Sequence, residues 1–262
     1  MQTQNSNVQA MAQALETAAP AIIEAYNASG PHSPDVVSPT LLHEALTQFF
    51  QILEHIDNSS DDDNIFATLR TLQPQAQWDE GQPQREPADM TELGEYGIGL
   101  LQDMAQWALT LELEKERQLV ESLSVPVALW TARHGGQVNT LEPVVNSLAA
   151  GANQLHEPQA LGALARSMGE IVAAAGPEAR EGAESGNPAS PWRILNLNRG
   201  IVAARSQDPA VMEEAFEALL NQLPEDAAAF FEEGLRQTDQ PGYPAAAREV
   251  LERFAARGRG PH

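Results

Sequence analysis

The side chains able to do acid-base, nucleophilic or metal chemistry are few in kind: six histidines, 37 carboxylates and no cysteine. The missing thiols exclude disulfides, thiolate nucleophiles and cysteine-ligated zinc. His43 and His55 fall on one predicted helix, separated by about 18 Å along its axis at 1.5 Å per residue, too far to share an ion. Neither H-E-x-x-H nor E-x-x-H occurs, so the zinc-protease and di-iron patterns have no support.

The acids of HIDNSSDDDNIF invite a calcium reading. No register, however, combines glycine at loop position 6 with glutamate at position 12. Asp61, Asp62 and Asp63 instead precede a predicted short helix over about residues 63–72, where carboxylates accept from free amides and complement the helix dipole. ARHGGQ at 132–137 carries the letters of an oxyanion loop, but G-x-S-x-G is absent. Gly135 or Gly136 is better used as a left-handed residue closing a helix. Glycine-rich phosphate loops are absent too, so the sequence predicts no catalytic residue, metal or cofactor.

One stretch stands apart. PWRILNLNRGIVAARSQDP, residues 191–209, holds three arginines and no acid before Asp208. On a helical wheel Ile194, Leu197, Ile201 and Ala204 form one apolar sector and Leu195 with Val202 a second, which predicts packing on two sides. Trp192, Asn196 and Arg199 form a stripe of their own. Either the stripe is satisfied inside the fold, with Arg199 meeting Glu213 or Glu217, or it lines a partner-binding groove. In the groove Trp192 would offer a flat apolar contact, Asn196 would pair a peptide backbone, and Arg199 would bind a carboxylate.

The elements that position these residues are predicted from period and punctuation. Apolar residues recur at steps of three and four, no run alternates as a strand would, and aromatics are only 5%. The expectation is all-α: about ten helices in irregular stacked antiparallel hairpins, α-solenoid-like or a helical bundle, with no β-sheet. Helices are placed over about 7–28, from Pro39 onward and from near Asp89. Later ones are announced by prolines 126, 143, 158, 191, 209, 224 and 244 near their starts. Asp208 is the predicted cap before Pro209. The predicted organisation is an acidic helical region over 1–75, a Pro/Gln-rich linker or loop over 76–88, and a helical-hairpin domain over 89–262 with a flexible loop at 176–190.

Leu93, Leu100, Met104, Trp107 and Leu111 form a seam for packing against a neighbouring helix or a second copy of the chain. Glycines 94, 97 and 99 weaken that helix, which another backbone approaching closely would explain. The seam is expected to give way to LEKERQ, a solvated extension.

Charge narrows the partners. The net charge is -22, and the imbalance is concentrated in residues 1–124, with 20 acids and four basic residues against 17 and eleven in 125–262. This disfavours nucleic acid and an anionic membrane, and it favours a protein partner with a basic face. No window of about 18 residues escapes charge and no secretory leader is visible, so a cytoplasmic protein is expected. The expected function is a non-catalytic helical adaptor, chaperone-like or assembly factor. The alternatives are an all-α enzyme with an unrecognised site and an oligomeric structural protein.

Overall fold

The computed structural model describes residues 2–30, 36–58, 87–184, 187–238 and 243–258. They form an all-α protein in two compact units, Met1–Gly136 and Gln137–His262. The predicted helix over 63–72, with its capping acids, and residues 76–86 of the expected linker lie outside the described residues. Helices on both sides of that stretch belong to the first unit, so the division falls at Gly136.

In the first unit α1 (Gln2–Ala28) packs on α2 (Pro39–Asn58), and α3 (Pro87–Thr110) lies against α2, α4 (Glu114–Ser122) and α5 (Ser124–Arg133). Leu15, Ile22, Leu46, Leu53 and Met104 are buried in the core. Of the seam residues Leu93 and Met104 are buried, while Leu100, Trp107 and Leu111 are half-buried. Trp107 donates from Nε1 to the Val37 carbonyl at 2.9 Å and meets Tyr26 edge-on.

Two of the three α3 glycines have a packing reason, and it is side chains that approach. A Cβ on Gly94 would lie 2.2 Å from Thr131 Oγ1, and one on Gly97 would lie 2.2 Å from the Phe49 ring. A Cβ on Gly99 meets nothing within 4 Å, so the structure gives no packing reason for that glycine.

LEKERQ does not extend α3, although Glu114, Lys115 and Gln118 are exposed as expected. Helix α3 stops at Thr110 in a Schellman turn, with Glu112 N–H bonded to the Leu109 carbonyl and Leu113 N–H to the Ala108 carbonyl. Glu112 takes the left-handed position at φ 59°, and the chain folds back as α4 against α3 and α1. No glycine marks this reversal, which is why it escapes a sequence search.

The second unit comprises α6 (Glu142–Gln154), α7 (Pro158–Ala174), α8 (Pro177–Glu184), α9 (Pro191–Ser206), α10 (Pro209–Gln222), α11 (Pro224–Gln237) and α12 (Ala245–Gly258). Helix α8 occupies part of the expected loop at 176–190. Five of these helices begin with proline, whose missing N–H needs no partner in a first turn. Asp208 caps α10 as predicted, accepting from the amides of Ala210 and Val211. The only extended pairing among the described residues is the single bridge Val138–Ala175.

The hairpin order can be read from ion pairs. Glu213 meets Arg253 and Glu217 meets Arg257, so α10 and α12 run parallel; Arg193 near the start of α9 meets Asp226 near the start of α11. Helices α9 and α11 are therefore parallel too, each separated from the next of its direction by an antiparallel neighbour. Phe216, Phe231 and Phe254 lock α10, α11 and α12 together, with ring centroids 5.1 to 5.7 Å apart.

Candidate functional site

In the first unit the fold brings two histidines beside carboxylates. His43 Nε2 lies 2.8 Å from Glu16 Oε1 on the partly exposed face where α1 meets α2. His134, which ends α5, places Nε2 3.1 Å from Asp57 Oδ1, the oxygen that also accepts from Trp130 Nε1 at 2.9 Å. The His134 ring stacks on Trp130 at 4.0 Å, and its Nδ1 lies 2.8 Å from the Trp130 carbonyl.

A histidine acting as catalytic base needs one nitrogen for the reacting group and the other for its orienting partner. Both nitrogens of His134 face protein acceptors, so the pair braces α2 against α5 and has no nitrogen to offer a substrate. Gly135 follows at φ 81°, the left-handed helix end expected there. A Cβ on Gly136 would lie 2.8 Å from the Met90 backbone. Among the described residues no group of three or more acids or histidines is placed to hold a metal ion.

In the second unit the polar stripe of α9 points inward. Trp192, Asn196 and Arg199 are 7%, 3% and 6% exposed. Asn196 donates to the Trp192 carbonyl of its own helix at 2.9 Å. Arg199 Nε donates to the Ala165 carbonyl of α7 at 3.3 Å, and its terminal nitrogen pairs with Glu214 of α10.

Room for the guanidinium comes from α7, where a Cβ on Gly169 would fall 2.6 Å from Arg199. Burial pushes the Arg199 guanidinium below its ordinary pKa, and the Glu214 carboxylate opposes that shift. The partner is Glu214 because Glu213 and Glu217 sit on the side of α10 that faces Arg253 and Arg257 of α12. Trp192 has its ring near Arg180, and its Nε1 has no hydrogen-bond partner among the described residues.

The surface left open by α9 is one of its two apolar sectors. Leu195 and Val202 are buried, whereas Leu197, Ile201 and Ala204 line a cavity of about 680 Å³ between α9 and α11, closed further by His156, Leu161, Tyr243 and Leu251. Its apolar wall on α11 comes from Ala229 and Phe230, and Ile201 remains 48% exposed. Phe230 forms the floor where the helices approach, since a Cβ on Gly200 would lie 2.6 Å from its ring.

Each end of the groove is braced. At the helix starts Arg193 holds Asp226 through two nitrogens and the Pro188 carbonyl through a third, and the pair raises the arginine's pKa. At the helix ends Arg205 donates to the carbonyls of Ala152 and Leu155 at 2.8 and 2.7 Å. Tyr243 reaches the Ala204 carbonyl at 3.4 Å, and burial raises the pKa of its phenol.

The groove can therefore take up apolar surface beneath a polar rim. The α11 wall was missed from sequence because DAAAFFEEG carries apolar residues around more than one face. Only Gly200 hinted at a close approach to α9. No helix among the described residues is long and apolar enough to cross a membrane. The chain matches no known protein family, no curated protein and no solved structure.

Proposed function

We propose that the protein is a non-catalytic helical adaptor or assembly factor that holds a protein partner, with the α9–α11 groove of the second unit as its docking surface. The observation that carries this is the solvent-open apolar sector of α9, Leu197, Ile201 and Ala204, on a helix whose other faces are packed. Apolar side chains left open beside polar ones are what partner surfaces use, whereas a core helix would cover them. Residues 137–262 hold 17 acids against ten basic residues, which favours a partner whose contacting face carries lysine or arginine.

Tagged protein incubated with native extract should retain a partner in fixed stoichiometry, and raising the salt concentration should weaken that retention. Failure to retain any protein across a range of salt and pH would remove the adaptor function.

A further inference from the structure

We infer that the occupant of the α9–α11 groove is an amphipathic helix of the partner, lying along the groove for about three turns with apolar anchors at i, i+4 and i+7 and basic residues on the α11 side. This rests on the adaptor function proposed above and specifies the partner's element. Leu197, Ile201 and Ala204 are spaced by four and three residues, which puts them on one face of α9 against which a second helix can pack. On the opposite wall the lining runs from Asp226 to Gln237, about 16 Å at the helical rise.

The volume agrees with one face of a helix. A helix about 10 Å across and three turns long fills on the order of 1300 Å³, and the cavity of about 680 Å³ receives about half of that. A drug-sized molecule would also fit by volume. It would need unengaged polar groups converging on it for orientation, and three of the lining polar groups are already engaged. Arg193 holds Asp226, two carbonyls hold Arg205, and Tyr243 is turned to the Ala204 carbonyl.

The charge of the occupant follows from the α11 rim. Glu233 lines the groove on that helix, Asp226 being taken by Arg193, and residues 137–262 hold 17 acids against ten basic residues. Glu233 pairs with Arg236, but both are more than half exposed, so the pairing is weak and a basic side chain of the partner can compete for it.

The test uses the full chain and a fluorescein-labelled designed peptide of about four turns, with leucines at i, i+4, i+7 and i+11 and lysines along one flank. A control peptide has the same composition with the leucine stripe dispersed. Fluorescence anisotropy should show the striped peptide binding at least about tenfold more tightly than the control. Ile201→Glu should weaken binding at least about tenfold while leaving thermal unfolding in place, and Glu233→Lys should weaken it a few-fold and flatten its salt dependence.

Equal binding of the two peptides, or unchanged binding to Ile201→Glu, overturns the inference. So does dodecanoate that binds the chain and is not displaced by the striped peptide. A natural partner still retained by Ile201→Glu would leave the adaptor function standing and remove the groove from it. Peptide binding without any natural partner would do the reverse.

Discussion

Each unit buries a charged side chain that ties its helices together, and the two differ in what lies beyond it. In the first unit Asp57 ties Trp130 and His134 together, Leu93 and Met104 of the α3 seam are buried, and Tyr96 and Leu109 of the same helix stay exposed. In the second, Arg199 ties α7, α9 and α10 together, and the apolar sector of α9 beyond it stays open. The gathered polar groups are the bracing, and the uncovered apolar residues are the candidate for function. Chemically capable residues attract attention in a sequence, yet a buried polar group is held there by its partners and is unavailable to anything else.

The largest effect expected is on the support of the groove. Phe216 is fully buried and touches the rings of Phe230, Phe231 and Phe254, so Phe216→Ala should cost about 3–5 kcal/mol. Because Phe230 is also the groove floor, the same change should abolish striped-peptide binding. Phe49→Ala in the first unit should destabilise by a similar amount, since that ring fills the space over Gly97. Denaturant midpoints, with hydrogen exchange to locate the loss, check both. A small loss for Phe216→Ala would mean that the aromatic lock is not what holds α10, α11 and α12.

Next comes the role of Arg199. Truncation to alanine leaves a cavity against Gly169 and should cost about 2–3 kcal/mol, whereas Arg199→Met keeps the volume, removes the buried charge and should fall within about 1 kcal/mol of the parent. If neither substitution moves the unfolding midpoint, the side chain is not bracing the unit.

The counterpart in the first unit is Asp57, whose side chain is 2% exposed. Asp57→Ala removes the acceptor shared by Trp130 Nε1 and His134 Nε2 and should cost about 2–3 kcal/mol; Asp57→Asn keeps one acceptor and should cost about half as much. A double-mutant cycle with His134→Gln should give a coupling of about 1 kcal/mol, and additive losses would show that the two side chains are neighbours without being partners.

Helix boundaries and class were legible because they are local. Proline at a first turn and Asp208 before Pro209 act within a few residues, and the apolar period alone assigns all-α. The α9 face that packs was not legible. A wheel orders Leu197, Ile201, Trp192 and Arg199 by angle but cannot say which sector meets α7. That is decided by Gly169, thirty positions upstream of Arg199, which makes space for a guanidinium. The inward-pointing stripe and the open apolar sector are thus two results of one long-range contact. The reversal after Thr110 was hidden for a different reason: Glu112 occupies a left-handed position in which glycine is the usual signal.

The smallest effect is electrostatic and lies at the surface of the first unit. Arg117 and Gln118 donate to the Glu114 carboxylate and lower its pKa to about 2, and Arg257 lowers that of Glu217 in the second unit in the same direction. A carboxylate with a depressed folded-state pKa stabilises fully above its ordinary value near 4.5, and that contribution is lost as pH falls through the folded value. For Glu114 the window is therefore about pH 5 down to about 2. Glu114→Gln should leave the denaturant midpoint nearly unchanged at about pH 2 and lower it slightly at neutral pH, flattening the acid limb, because an exposed pair is screened by water. Glu217→Gln should flatten the limb in the same sense. If Glu114→Gln shifts the midpoint equally at both pH values, the contribution is not ionic, and the acid sensitivity of the first unit must come from other carboxylates.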